Sequence, residues 1–201
     1  METKKLFAIT SALLQYPDES LLELAKIVAT EVETKSDSDE SDIAKFLEWL
    51  ESDSLLSLQS YYVSVFDRKR RACLYLSYYL NGDTRTRGMA LVHFKEMYRA
   101  SGFTTTDDEL PDFLPTVLQF TAAIDLEVGL EMLSQHYAGL VVLNTAMLDL
   151  KSPYSNLTSA LVRHVPEGEN PKVDPRQLIT IGVPTELVGL EPFSLGERAG
   201  K

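Results

Sequence analysis

The sequence predicts an all-α protein, a single-domain bundle of about seven to nine helices. Three observations support this prediction. Apolar residues recur at intervals of three and four over most of the first 165 residues, which is the period of a helix with one buried face. Neither an internal repeat nor an alternation of strands with helices occurs. The length of 201 residues and the hydrophobic fraction of 44% are ordinary for one globular domain.

The first half of the chain contains five segments with a helical apolar face. Pro17 ends the first segment, and Asp18 is placed to cap the second. The acidic stretch of residues 36–42 is predicted to be a solvated loop between the second and third helices. Residues 68–80 contain many tyrosines and leucines but no helix breaker, so we expect one helix there, with Cys73 buried in it. The five segments cover residues 6–16, 21–28, 43–50, 55–65 and 68–80.

The second half begins with the pair Asn81-Gly82, which predicts a helix end in which Gly82 adopts a positive φ. The next helix starts at Asp83 or Thr84 and runs to about residue 100, where Ser101-Gly102 stops it. Pro111 suits the first turn of a further helix, because its missing N–H would have no partner there. Helical spacing then continues through residues 114–124 and 136–150, with a mild interruption at residue 129. A last short helix is predicted at residues 155–163.

The chain changes character after residue 165. Five of its nine prolines lie in residues 166–201. Segments of this composition bury too little apolar surface to fold stably. We therefore expect an all-α domain at residues 1–165 and an extended or disordered tail at residues 166–201.

Composition restricts the partners and the compartment. The formal charge is −11, which disfavours binding to nucleic acid or to anionic lipid and favours a basic partner. The single cysteine, Cys73, excludes an intramolecular disulfide and fits a reducing compartment. The apolar run near the N-terminus is too short for a signal peptide, and no apolar stretch approaches the length of about 18 residues that a membrane span needs. We expect a cytoplasmic protein.

No catalytic pattern accompanies these features. The histidines, His93, His136 and His164, are far apart, so no metal site is predicted. A nucleophile elbow and a phosphate-binding glycine loop are both missing from the sequence. The acidic residues 107–112 read D-D-x-x-x-D, one residue longer than the Mg²⁺-binding motif of prenyl synthases, and no second motif follows. Helix capping or a partner contact is the favoured role for these acids, so we expect neither an enzyme nor a cofactor.

Two arginines are unusual for their position. Arg85 and Arg87 lie in the first turn of a predicted helix, where a positive charge is unfavourable by a few tenths of a kcal/mol. Compensation from Asp67, Asp83 or the acidic residues 107–112 is expected. Two interpretations remain open: an ion-pair network that joins three helix ends, or a charged border to a peptide groove. The tyrosines of the adjacent helices are either half-buried core residues or part of such a groove.

Four sequence strings between residues 61 and 122 resemble the NarJ-type nitrate reductase molybdenum cofactor assembly chaperones. They are YYVSVFD, the run R-R-x-x-L-Y-L-x-Y-Y, NGDTRTRGMAL and ELPDFLPTVLQF. Gln119 departs from the glutamate expected there, and Val63-Ser64-Val65 departs from V-x-T. The resemblance implies an all-α fold like the wider TorD-type redox-enzyme maturation chaperones, and a cytoplasmic protein without catalytic activity.

The resemblance also implies a client. Such chaperones bind the apo catalytic (alpha) subunit of respiratory nitrate reductase, largely through its N-terminal segment. They support molybdenum cofactor insertion before the enzyme docks at the membrane, and they leave the final enzyme. A permanent adaptor subunit and a small Mg²⁺-dependent enzyme remain the alternatives. The candidate peptide-binding residues are Tyr61, Phe66, Asp67, Tyr75, Tyr79, Asp83, Arg85, Arg87, Glu109 and Asp112.

Overall fold

A computed structural model describes residues 1–32, 37–82, 84–105, 109–168 and Leu178. Within these residues the chain forms ten α-helices and no β-strand, which confirms the all-α class. None of these helices is long and apolar enough to cross a membrane. The helices are α1 (Thr3–Leu13), α2 (Glu19–Glu31), α3 (Ser38–Glu51), α4 (Leu55–Tyr62), α5 (Leu76–Asn81), α6 (Arg85–Ala100), α7 (Leu114–Ala123), α8 (Leu126–Gln135), α9 (Tyr137–Asp149) and α10 (Tyr154–His164).

Side-chain caps explain several helix starts. As predicted, Asp18 caps α2 by accepting a hydrogen bond from the backbone N–H of Leu21. The prediction of a loop through residue 42 is wrong, since α3 begins at Ser38. Asp37 accepts from the backbone N–H groups of Asp39 and Glu40, so the acidic residues form the first turn of the helix. Carboxylates in a first turn stabilise a helix because they face the positive end of its dipole.

The predicted helix over residues 68–80 is wrong for residues 68–75, and only its end is helical, as α5. After α4 the chain forms a π-helical turn (Val63–Asp67) and a 3-10 turn (Arg70–Ala72), then runs extended to α5, so Cys73 is not in a helix. In the extended part the carbonyl of Leu74 accepts from Leu114 N at 2.8 Å, and Leu76 N donates to Asp112 O at 3.0 Å. Pairing with a distant segment therefore replaces the local helix.

The turn after α5 matches its prediction. Gly82 has φ 58° and ψ −155°, a combination that is essentially restricted to glycine. Helix α6 then runs from Arg85 to Ala100 as expected. Gly102, with φ 73°, follows its end.

Residues 111–150 form three helices where the sequence indicated nearly continuous spacing. The first begins at Leu114 instead of Pro111, with Pro115 in its first turn. The breaks lie at Asp125, which caps α8, and at His136. Gly129 is not a break: it is buried within α8, where a Cβ would lie 2.2 Å from Thr121 Oγ1 of α7. Glycine at this position allows the two helices to touch.

The hydrophobic core extends across the whole bundle, and α1 packs mainly on α7. An aromatic cluster around Tyr154 joins α3, α4 and α10 at one side of this core. Of the residues beyond 168, the structure describes only Leu178, which is buried in the same core. The proposed boundary at residue 165 and the character of the tail therefore stay predictions.

Candidate functional site

The two most specific strings of the sequence meet at Asp112. This carboxylate is fully buried, and its Oδ2 accepts from Ser77 Oγ at 2.6 Å and from Ser77 N at 3.1 Å. Ser77 lies in the first turn of α5, whose own N-cap residue, Tyr75, makes no side-chain capping bond. Asp112 thus caps α5 from a segment 35 residues further along the chain.

Arg87 completes this arrangement from α6. Its Nη2 lies 3.9 Å from Asp112 Oδ2, and its Nε donates to Ser77 Oγ at 3.3 Å. The guanidinium carbon also lies 5.7 Å from the centre of the Tyr75 ring and 5.8 Å from that of Tyr78, within the range of cation–π attraction. An arginine that is unfavourable for its own helix end is therefore compensated by a buried carboxylate and two aromatic rings.

Glu109 and Tyr75 form the exposed edge of the same arrangement. Tyr75 Oη donates to Glu109 Oε1 at 2.9 Å, and the Tyr75 ring packs on Phe113 with centroids 5.4 Å apart. Burial and the bond to Glu109 raise the pKa of Tyr75, so its hydroxyl stays protonated and acts as a donor. We call this group the Asp112 junction: Tyr75, Ser77, Arg87, Glu109 and Asp112.

The other sequence candidates lie outside the junction. Tyr79 is fully buried, and its hydroxyl donates to Cys73 O at 2.7 Å. Phe66 is 8% exposed and packs against Tyr154, with Tyr61 on the same cluster. Asp67 and Arg85 are exposed, whereas Asp83 lies outside the described residues. Tyr61, Asp67, Tyr75, Arg85, Arg87 and Glu109 thus keep surface that a partner could reach.

Sequence reasoning missed an apolar groove between α1, α2 and α7. It has a volume of about 670 Å³, and none of the ten candidates lines it. Tyr16 and Leu24 at its wall are 49% and 39% exposed. The signal for it was the small residues at helical spacing, Ala8 and Ala12 on α1, which leave space between facing helices. The lining is completed by Ser11, Gln15, Asp18, Ser20, Leu21, Gln119, Ala122 and Ala123.

A second polar cluster joins the two ends of the described chain. His164 Nε2 lies 2.7 Å from Asp39 Oδ2, and His164 Nδ1 lies 3.0 Å from Thr3 Oγ1. Arg163 donates to the other Asp39 oxygen through Nε at 3.0 Å and Nη2 at 2.7 Å. Burial raises the pKa of Asp39, but the hydrogen bonds from Arg163 and His164 outweigh it and hold that pKa below its usual value. The ionised carboxylate of Asp39 thus connects α3 to α10 through these hydrogen bonds.

His136, the second of the three histidines in the sequence, is buried and packs beside Phe94. Its Nδ1 lies 2.8 Å from Met132 O, so this nitrogen carries a proton and donates. Burial lowers the pKa of His136, which keeps the ring neutral. Across the described residues, no group of three or more His, Cys, Asp or Glu is placed to hold a metal ion. Asp107 and Asp108 of the acidic cluster lie outside those residues.

Comparisons with known proteins agree with the family that the sequence resembles. A family model described as nitrate reductase delta subunit matches residues 33–157. The chain is 38% identical over 108 residues to the nitrate reductase-like protein NarX of Mycobacterium tuberculosis, a segment that spans 54% of this chain and 17% of that protein. It is 32% identical over 157 residues to the probable nitrate reductase molybdenum cofactor assembly chaperone NarJ of Bacillus subtilis, covering 78% of this chain and 85% of that one.

One solved structure is similar over most of its length. It is the crystal structure of a proposed redox enzyme maturation protein from Archaeoglobus fulgidus, with a TM-score of 0.61 and 22% identity. The match covers 81% of this chain and 93% of that chain. At this identity the likeness shows the fold alone, and it confirms the all-α fold that the sequence resemblance implied.

Proposed function

Because this chain belongs to the nitrate reductase delta subunit family, we propose that it is an assembly chaperone for a nitrate reductase. It binds the apo catalytic subunit through that subunit's N-terminal segment, in the cytoplasm. It supports molybdenum cofactor insertion before the enzyme reaches the membrane. The observation that carries the proposal is the match to the Bacillus chaperone over 78% of this chain and 85% of that one. The names of the NarJ relatives describe a non-enzymatic role.

The groove between α1, α2 and α7 is the surface we assign to the apolar face of the client segment. Its volume of about 670 Å³ and its alanine and leucine lining suit one or two turns of an amphipathic helix. Asp18 lies in the lining, and Glu19 and Glu23 follow on the same helix α2. The formal charge of −11 would attract a basic segment, which raises the rate of encounter more than the final affinity.

The exposed edge of the Asp112 junction is the second surface in the proposal. Tyr75 offers an aromatic face, and Glu109 offers a carboxylate at the surface. Asp112 itself is fully buried and bonded to Ser77, so it acts in the proposal by holding this edge in place. Client contacts are thereby assigned to Tyr75 and Glu109, with Asp112 as their support.

Calorimetry with a peptide that copies the N-terminus of the cognate catalytic subunit tests the proposal. Leu24→Lys places a charge in the apolar groove, and we expect affinity to fall by about tenfold, equivalent to about 1.4 kcal/mol. Ile27→Lys is the matched control, because Ile27 lies one turn further on the same helix, is 61% exposed and does not line the groove. If Ile27→Lys weakens binding as much, the effect is one of net charge and the groove assignment fails.

Glu109→Lys examines the second surface in the same assay. We expect weaker binding and a smaller dependence on salt, because one carboxylate that faces a basic client is replaced by a like charge. If the protein binds neither the peptide nor the whole apo subunit, the proposed function is wrong. Co-purification with mature holoenzyme at a fixed stoichiometry would show that the protein is a permanent adaptor subunit and not a transient chaperone.

A further inference from the structure

A basic cavity in the bundle shares no lining residue with the proposed client surfaces. Its volume is about 340 Å³, and its lining combines the 3-10 turn after α4 with the end of α9. The lining includes three residues of the only run of four basic residues in the sequence, residues 68–71. The lining residues are Lys69, Arg70, Arg71, Ala72, Ala146, Asp149 and Leu150.

The guanidinium of Arg71 is incompletely satisfied in this cavity. Its Nε and Nη2 atoms are buried and have no hydrogen-bond partner among the residues that the structure describes. A buried N–H group without a partner costs about 1–3 kcal/mol, and more when the group is charged. Such a group commonly marks the place of an ion or a water molecule. The two nitrogens form a planar fork that matches two oxygens of one oxyanion.

The backbone beneath Arg71 is held in place. Tyr79 Oη approaches Arg71 O at 3.2 Å and donates to Cys73 O at 2.7 Å, which connects the turn to α5. Helix α9 packs directly on the same turn. An oxyanion that binds to Arg71 would therefore meet a preorganised site, which reduces the entropic cost of binding.

Charge and shape narrow the class of ligand. Three basic side chains and one carboxylate, Asp149, line the cavity, so its formal charge is +2. A phosphate monoester carries about −1.5 to −2 at pH 7, whereas a carboxylate carries only −1. Ala72, Ala146 and Leu150 supply an apolar wall for an organic group. The volume lies at the lower end of the range of about 300–1,000 Å³ that is typical of small-molecule sites.

We propose that this cavity binds a phosphate-bearing small molecule, with the phosphate on the Nε and Nη2 atoms of Arg71. Lys69 and Arg70 add positive charge at the rim, and the apolar wall contacts the organic part of the ligand. Asp149 opposes the anion and thereby limits the affinity. The site is separate from both client surfaces, so it remains testable whatever the outcome for the proposed function.

Isothermal titration of the full chain with inorganic phosphate and with pyrophosphate tests this assignment, at constant ionic strength set by potassium chloride. We expect both anions to bind, and Arg71→Gln to weaken them at least tenfold because the fork is lost. Asp149→Asn should tighten binding severalfold, since it removes a repulsive charge at an exposed position. Arg99→Gln, an exposed change on α6 outside the cavity, is the matched control and should leave binding unchanged.

Three results would overturn the assignment. Phosphate and pyrophosphate could give no more heat than chloride at equal ionic strength. Acetate could bind as tightly as phosphate, which would make the cavity a carboxylate site. Arg99→Gln could weaken binding as much as Arg71→Gln, which would show a diffuse effect of charge. Circular dichroism establishes that Arg71→Gln is folded, and Asp149→Asn, as an expected gain of affinity, cannot be mimicked by misfolding.

Discussion

Replacing Asp112 by alanine should destabilise the bundle more than any other single charge removal at the candidate site. The change leaves the N–H and hydroxyl of Ser77 without their acceptor and takes the nearest buried carboxylate from Arg87. It also uncaps α5, whose N-cap residue offers no side-chain bond of its own. Three helix-forming segments, α5, α6 and the stretch before α7, are therefore affected at once.

The size of the effect follows from these contacts. A hydrogen bond to a charged group contributes about 1.5–3 kcal/mol, and loss of a helix cap costs about 1 kcal/mol. Because the contacts share one carboxylate they do not add fully, and breaking a buried ion pair typically costs about 3–5 kcal/mol. We expect about 3–5 kcal/mol for Asp112→Ala, which lowers Tm by roughly 6–20 °C in a chain of this size. Asp112→Asn keeps one acceptor oxygen and should cost about 1–2 kcal/mol.

Thermal and urea unfolding followed by circular dichroism measure this difference. Glu109→Ala is the matched control. That carboxylate is exposed and accepts from Tyr75 Oη and from the backbone N–H of Leu110, so its loss should cost less than about 1 kcal/mol. The reasoning is refuted if Asp112→Ala costs no more than Glu109→Ala. A double-mutant cycle with Arg87→Ala should give a coupling energy of about 0.5–3 kcal/mol, since the two groups share Ser77.

Two further predictions concern packing and pH. Gly129→Ala should lower the free energy of unfolding by about 1–3 kcal/mol, because the added Cβ would lie 2.7 Å from the Thr121 Cα. Gly88→Ala is the control: its Cβ would have nothing within 4 Å, so it should stabilise α6 by about 0.5–1 kcal/mol. Equal unfolding midpoints for the two variants would contradict this prediction. The pKa of Asp39 is lowered by its α10 partners, so its stabilising contribution is complete above the ordinary value of 3.8 and is lost as the pH falls through the folded-state pKa. Wild type should therefore lose more stability than Asp39→Asn between about pH 5 and pH 3, measured by urea unfolding; parallel losses would exclude Asp39 as the cause.

The fold was largely predictable where the apolar period was long and a local breaker ended it. Helix α6 illustrates this, because Gly82 and the Ser101-Gly102 pair lie next to its observed bounds, Arg85–Ala100. Residues 68–80 were not predictable in the same way. Their extended part depends on pairing between Leu74 and Leu114, which local propensity cannot reveal.

The candidate site was predictable in part. The unfavourable position of Arg87 indicated a compensating acid, and the acidic residues 107–112 were among the alternatives. Among the described residues, Asp112 of that group lies beside Arg87. The burial of Phe66 and Tyr79 was not evident from residue type, because a tyrosine or phenylalanine suits a core and a groove equally well. The groove between α1, α2 and α7 is a space between side chains, so no motif reports it directly.

The position of Asp112 indicates that the residues typical of this family differ from the residues that would select a client. The strings around Gly82–Arg87 and Glu109–Asp112 carry the resemblance, yet their central contacts join Asp112 to Ser77 and Arg87 inside the chain. Such contacts stabilise the bundle whichever segment is bound, so they cannot by themselves distinguish one client from another. Discrimination must come from accessible side chains, and Leu24 in the groove and Glu109 at the junction edge are the positions where the proposal locates it. Exchanging these two residues with those of a relative that serves another enzyme should therefore change peptide preference while leaving the unfolding midpoint nearly constant, whereas changes at Asp112 should do the reverse.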